Sequence, residues 1–374
     1  MKTLADMHLV SGAPVLLRAS LNVPVHHNRV KNTYRLEQAV PTIQALSRAG
    51  ARTIIIGHMG GSNTASLLPV FEYWKREMFP DMQFSSECVG AEIRKISKTL
   101  PSGGLLLLEN LRRKKGEQEN DRLFAKDLAS CADYFVQDAF DACHRPHASI
   151  IGVPAFLPSY GGLQLEAEIK GLSRALSPSA PSLAIIGGAK IITKAPLIRK
   201  LFDRYDTVFV GGAIVHDIFL SLGYQIGRSL STGNVSAIAD IAHHPRLLVP
   251  CDVLVEDSSG AWRITRPDLL TKDDSILDAG PETISMLSNL SLRSKMILWN
   301  GPLGNYERGC KTATEDLARA VAQSPGESVV GGGDTVASIE ALHLHQHFTF
   351  VSTGGGAMLD FLTAGTLPGI EALG

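Results

Sequence analysis

The sequence predicts an α/β protein made of two doubly wound parallel-sheet domains joined by a hinge helix. Three observations support that reading. Short apolar runs alternate with helical patterns along the chain, there are too many runs for one sheet, and most of them end in glycine or a basic residue. A length of 374 residues is also more than one ordinary core serves.

The first buried strands are expected at residues 15–17, 53–56, 105–108 and 134–136. Later ones are expected at 183–186, 207–210, 247–249, 296–298, 328–330 and 348–351. These runs are continuously apolar rather than alternating, which suits parallel strands covered on both faces. Between them lie amphipathic helical patterns such as 35–48 and 121–132. About ten such strands exceed one comfortable sheet, hence two domains. A boundary is expected near residues 157–162, followed by a connecting helix over 163–175 with Glu166 and Lys170 spaced four apart.

Apolar residues make up 44% and charged residues 20%, with 36 basic against 37 acidic side chains. That balance argues against a general nucleic-acid or membrane-surface binder. No apolar run reaches the roughly 18 residues of a membrane span. The start, Met1-Lys2-Thr3-Leu4-Ala5-Asp6, lacks a signal-peptide pattern. The five cysteines are scattered and never spaced as a metal knuckle, so reduced thiols in a cytoplasmic protein are expected. Cys143 lies between candidate site residues, which leaves a reactive role as its minor reading. His343, His345 and His347 read as an exposed strand or turn rather than a metal site.

In open parallel sheets, ligands bind beyond the carboxyl ends of the strands. In the second half those ends are Gly187-Gly188-Ala189-Lys190, Gly211-Gly212-Ala213, Asn300-Gly301-Pro302-Leu303-Gly304, Gly331-Gly332-Gly333-Asp334-Thr335 and Ser352-Thr353-Gly354-Gly355-Gly356. Glycines let backbone amides approach an anion, and a helix N-terminus adds a favourable dipole. An aspartate among such amides makes sense if a divalent metal accompanies phosphates. The plain alternative for Asp334 is a helix N-cap. Neither a P-loop nor a dinucleotide fingerprint occurs. Lys190 and Lys194 follow the first glycine pair and would share a helix face.

In the first half, strand ends lead instead to Arg18, His58, Arg112 and, after Asp138, His144-Arg145-Pro146-His147, while Arg35 opens a helix. Several cations at one sheet edge imply an anionic ligand. An anion site facing a nucleotide site implies a transfer reaction in a cleft that closes.

With those residues assembled, the chain resembles phosphoglycerate kinase over nearly its whole length. The resemblance rests on RASLNVP (18–24), residues 42–50, Glu109-Asn110-Leu111-Arg112, Asp138-Ala139-Phe140 and His144-Arg145 with His147. It continues through GGAK (187–190), IGRSL (226–230), Gly280-Pro281, WNGPLG (299–304), GGGDT and STGGGA (352–357), in the family's order.

The resemblance implies reversible, magnesium-dependent phosphoryl transfer between ATP and the carboxylate of 3-phosphoglycerate, in glycolysis. It implies an acid-substrate domain over 1–160, with the tail from about 356 to 374 returning to it, and a nucleotide-binding domain over 161–355. The implied nucleotide contacts are Gly188, Lys190, Lys194, Gly212, Asn300, Pro302, Glu307, Gly332, Gly333, Asp334 and Thr335, with Asp334 on the metal. The implied acid contacts are Ser20, Leu21, Asn22, Arg35, His58, Met59, Gly60, Gly61, Arg112, His144, Arg145 and His147. Arg35 and Lys190 would steady the transferring phosphoryl group. The partners implied are ATP or ADP and a small phosphorylated carboxylic acid, with no nucleic acid and no membrane, in a monomer.

The departures are uneven. The family's first segment usually reads R-V-D-F-N-V-P, so Ser20 replaces an aspartate that holds the substrate's hydroxyl. Its S-H-L-G-R-P becomes Gly57-His58-Met59-Gly60-Gly61-Ser62, so Gly61 replaces a substrate-phosphate arginine, and the following loop is short. Gln137 stands for an asparagine, Asp141 for a glycine and Thr193 for an aspartate, while Ala213 interrupts a glycine triplet. Losing one charge-assisted hydrogen bond costs about 1.5–3 kcal/mol, which weakens binding without abolishing it. Arg113, Lys114 and Lys115 read as an exposed basic run, with replacement charge as the lesser reading. The leading expectation is a divergent active kinase. Behind it stand a paralog acting on another carboxylate or acyl phosphate and a catalytically weak nucleotide-binding regulatory protein.

Overall fold

The computed structural model describes residues 1–60 and 64–374. Contacts divide the chain into two compact units, Met1–Ile169 with Thr366–Gly374, and Lys170–Gly365.

The first unit contains β1 (Pro14–Arg18), a hairpin of β2 (Val25–His26) and β3 (Arg29–Val30), β4 (Arg52–Ile56), β5 (Gln83–Ser85), β6 (Leu105–Leu108), β7 (Tyr134–Gln137) and β8 (Ser159–Gly161). Six of them form one sheet in the order β5-β6-β4-β1-β7-β8. Every pairing in it is parallel. Val15, Leu16 and Leu17 in β1 and Ile54, Ile55 and Ile56 in β4 are wholly buried, as expected of strands covered on both faces. The helix Tyr34–Arg48 buries Leu36, Ala39, Ile43 and Leu46 at helical spacing. The helix Leu68–Glu77 buries Trp74, whose truncation to alanine would cost about 3–5 kcal/mol. β1 lies between β4 and β7, so the winding reverses beside it, and that crevice is where such sheets bind ligands.

The second unit contains β9 (Ser182–Ile186), β10 (Thr207–Val210), β11 (Leu247–Leu248), β12 (Val253–Glu256), β13 (Trp262–Thr265), β14 (Ser275–Ala279), β15 (Met296–Asn300), β16 (Glu327–Gly331) and β17 (Phe350–Val351). Its main sheet runs β11-β10-β9-β15-β16-β17, again parallel throughout. Here the winding reverses between β9 and β15. The doubly wound parallel architecture expected from the sequence is therefore present in both units. Not expected was the antiparallel sheet β13-β12-β14.

The helix Leu163–Leu176 carries the chain from one unit to the other. Asp138, just beyond β7, caps its start by accepting from the amides of Gln164 (2.9 Å) and Leu165 (3.2 Å). Residues 157–162 hold β8, paired with β7, and the division between units falls later, between Ile169 and Lys170. The helix Gly356–Ala364 belongs to the second unit, and Thr366–Gly374 to the first. There the Gly369 amide donates to the Cys143 carbonyl at 2.8 Å. His345 and His347 sit in a 3-10 turn. Among the described residues no helix is long and apolar enough to cross a membrane.

Candidate active site

In the first unit, Arg18 ends β1 and is completely buried. Its Nε donates to Ser149 Oγ (3.0 Å), Nη1 to the Ala19 carbonyl (2.7 Å) and Nη2 to His58 Nδ1 (2.8 Å). The Ser149 hydroxyl donates to Glu117 Oε1 at 2.6 Å, and its amide donates to Oε2 at 3.0 Å. Glu117 is also fully buried. Burial pushes its carboxyl up, and Arg18 pulls it back. The pair forms an internal strut bridged by a hydroxyl.

That strut corrects the expectation of a row of cations. Arg18 is occupied by internal partners. Burial, and then Arg18 itself, hold His58 well below the ordinary imidazole range. Burial and Arg145 bring His147 down to about 4. Both histidines are therefore neutral donors or acceptors near neutral pH, and the positive charge at this edge comes from Arg35, Arg112 and Arg145.

Asn110 holds Met59 and Ala65, described residues on either side of 61–63. It accepts from the Met59 amide (3.1 Å) and donates to the carbonyls of Met59 (3.0 Å) and Ala65 (2.9 Å). Arg112 donates to the Gly60 carbonyl, and the Gly60 amide donates to Asn22 Oδ1 at 2.9 Å. Arg35, in the first turn of its helix, donates to the Asn22 carbonyl. Leu21 and Met59 pack into the core, so any contribution they make to a ligand is through their backbone. Arg145 Nε donates to His144 Nε2 at 3.2 Å. Ser20 donates to Asp141 Oδ1 at 2.6 Å. Gly61 lies outside the described residues. Arg113, Lys114 and Lys115 pair with Glu109, Glu87 and Glu119.

In the second unit, the ends of β9 and β15 lie side by side. The Gly187 amide donates to the Asn300 carbonyl (2.8 Å), and the Gly188 amide to the Pro302 carbonyl (3.0 Å). A Cβ on Gly187 would stand 2.2 Å from the Pro302 oxygen, and one on Gly301 2.5 Å from the Gly187 oxygen. These glycines are required by backbone packing alone. A ligand is therefore not needed to explain these two.

The end of β16 differs. Gly332 has φ +102°, a left-handed conformation. A Cβ on Gly333 would meet nothing within 4 Å. Gly333 opens the helix Gly333–Ala341, with Asp334 in its first turn. Asp334 is exposed. Thr335 is completely buried, and among the described residues its Oγ1 has no hydrogen-bond partner. A bare helix start with an orphaned hydroxyl suits an anion. Among the described residues no three His, Cys, Asp or Glu side chains gather as metal ligands. A single exposed carboxylate beside bare amides instead fits a divalent cation delivered on phosphates.

Lys190 is exposed and immediately precedes the helix Ile191–Arg204, whereas Lys194 is buried. Lys194 Nζ donates to the Gly187 carbonyl and to Asn300 Oδ1 (3.1 Å), and burial brings it down to about 8. The two lysines thus play different parts. Gly188 and Gly212 follow neighbouring strands, β9 and β10, while Glu307 is exposed in the turn Tyr306–Arg308. Cys143 is buried, with its thiol pushed up by burial, which removes the reactive reading.

Sequence reasoning missed Glu117, Ser149 and Asp141 as site residues. Only Asp141 had left a signal, as a charge where the family pattern has glycine.

A family model described as phosphoglycerate kinase matches residues 4–365. The phosphoglycerate kinase of Wolbachia pipientis subsp. Culex pipiens (strain wPip) is 38% identical over 379 residues, covering 96% of this chain and 95% of that protein. That of Chelativorans sp. (strain BNC1) is 36% identical over 392 residues, covering 100% and 98%. Among solved structures, phosphoglycerate kinase from Coxiella burnetii matches with a TM-score of 0.83 and 34% identity, covering 99% of this chain and 98% of that one. The Pyrococcus horikoshii OT3 enzyme matches with a TM-score of 0.89 and 28% identity, covering 100% and 98%.

Proposed function

The chain belongs to the phosphoglycerate kinase family, and from that premise we propose that it moves a phosphoryl group reversibly between ATP and the carboxylate of 3-phosphoglycerate. A carboxylate oxygen forms the new bond to the γ-phosphorus, the bond from that phosphorus to the bridging oxygen breaks, and ADP leaves. No general base is required, because the nucleophile is already an anion. Positioning and charge neutralisation do most of the work in such transfers.

The observation that carries this reading is the start of the helix Gly333–Ala341, with its open Gly333 and orphaned Thr335 hydroxyl. In this reading the nucleotide's phosphates lie against Gly332, Gly333 and Thr335, with Asp334 on the magnesium that enters as part of the nucleotide substrate. Lys194, Asn300, Gly188, Gly212, Pro302 and Glu307 complete the nucleotide site on the second unit. The acid lies on the first unit against Asn22, Arg35, Gly60, Arg112 and Arg145, with His58 as a neutral donor. Arg35 and Lys190 neutralise the transferring group. A cytoplasmic monomer is proposed with it, in keeping with the free thiols.

A coupled assay with 3-phosphoglycerate and MgATP tests the proposal. Turnover that saturates in both substrates is the expected result. Absence of turnover above background at high concentrations of both would overturn it.

A further inference from the structure

Asp141 sits in the short turn Phe140–Ala142 that follows β7. Its Oδ1 accepts from Ser20 Oγ at 2.6 Å, and its Oδ2 lies 3.8 Å from Arg35 Nη1. The site around it consists mainly of proton donors. The guanidinium groups have no lone pairs to offer, and His58 has its free proton on Nε2. Such a set suits phosphate and carboxylate groups, and among the described side chains it leaves few acceptors for a ligand hydroxyl beyond Ser20 and Asp141. The neighbouring carboxylates are buried away from a ligand: Glu117 accepts from Ser149, and Asp138 accepts from helix amides through Oδ1. Ser20 has one proton and gives it to Asp141. Its oxygen therefore keeps its lone pairs, made more basic by the anion behind it.

We infer that Ser20 and Asp141 together read a hydroxyl on the acid: the ligand O–H donates to Ser20 Oγ, which donates to Asp141, and Asp141 also orients Arg35. Asp141 is a positioning residue and Ser20 the contact. The pair selects a 2-hydroxy acid over the same acid lacking the hydroxyl. Two departures from the family pattern, a serine for an aspartate and an aspartate for a glycine, become one rearrangement in space. The inference rests on the first unit holding the acid, as proposed above.

Calorimetry on the whole chain, with 3-phosphoglycerate and with 3-phosphonooxypropanoate as its deoxy analogue, separates the two ideas. The wild type is expected to prefer the hydroxy acid by roughly tenfold. Asp141→Asn and Ser20→Ala are expected to lose most of that preference, weakening the hydroxy acid more than the deoxy acid. The double variant Ser20→Asp with Asp141→Gly is expected to regain it. Equal weakening of both acids in the single variants would mark a merely structural role and overturn the inference, as would an unchanged preference. A wild type that binds neither acid would overturn it too. Preference without turnover would leave the pair standing and remove only the proposed activity.

Discussion

Arg18 Nη2 donates to His58 Nδ1 at 2.8 Å, and because a guanidinium has no lone pair, the imidazole must accept. Nδ1 is bare and the proton sits on Nε2. Burial first, and then the Arg18 charge, hold the ring neutral. Nitrogen NMR should show this tautomer still dominant at pH 6.5, where a free imidazole is about half protonated. A midpoint at or above the ordinary 6.5, or a proton on Nδ1, would break the assignment. The linkage sign follows. With the folded value depressed, the contribution of His58 to stability is fully present above about 6.5 and is lost as pH falls. His147, held at about 4, acts in the same direction.

Asp138 works in the opposite direction. Burial raises its carboxyl from 3.8 to about 7, against the helix amides that lower it. Its folded value lies above its unfolded one, so its contribution is fully present below 3.8 and is lost as pH rises towards 7. Across that window the loss is at most about 1.4 kcal/mol per pH unit. Asp138→Asn should therefore gain stability relative to wild type between pH 4 and pH 7 and hold a constant difference above it. Denaturant titrations at several pH values check this. A pH-independent difference would contradict it.

How much of this was legible in the sequence depends on what kind of signal each part leaves. Strands such as Leu105–Leu108 and Thr207–Val210 were found because burial on both faces demands an unbroken apolar run. β12 was missed because only alternate residues are buried in V-L-V-E, and β5 because three residues make no pattern. Glycine was an ambiguous marker. Gly187 and Gly301 answer to neighbouring backbone, whereas Gly333 faces open space, and the letters alone do not distinguish them. Charge was equally ambiguous. Arg18 and Lys194 read as ligand cations, but Arg18 is held by Ser149 and His58, and Lys194 by a carbonyl and Asn300. Partners distant in sequence, such as Glu117 for Arg18, leave no trace in spacing.

Lys194 gives a third prediction. Burial brings it down to about 8, and a phosphate beside it would raise it again. Binding of MgADP at pH 8 should therefore take up a proton fraction of about one half. Calorimetry in buffers of different ionisation enthalpy measures that fraction. Lys194→Arg, charged throughout, should take up none. Zero uptake by the wild type at pH 8 would remove Lys194 from the nucleotide site.

Asp334→Ala tests the metal. Asp334 is exposed at the start of its helix, so its loss should leave the fold intact. Affinity for MgATP should fall about tenfold or more, and the variant and wild type should converge when magnesium is chelated. Equal affinities with magnesium present would take Asp334 out of the metal site.

Thr335→Val separates stability from binding at the same helix. The Thr335 hydroxyl is fully buried and has no partner among the described residues. Folding strips it of water without a replacement hydrogen bond, at a cost of about 1–3 kcal/mol. Valine has nearly the same shape and no polar atom, so the unliganded variant should unfold at a higher temperature than wild type. A phosphate oxygen arriving at Gly333 would give the wild-type hydroxyl its missing acceptor, and the variant cannot donate to it. MgADP should therefore bind the variant more weakly by roughly three- to tenfold, and the gap in melting temperature should close or reverse as nucleotide is added. A variant less stable than wild type without ligand would mean the hydroxyl has a partner after all. Unchanged affinity would mean that the partner it awaits is not the nucleotide.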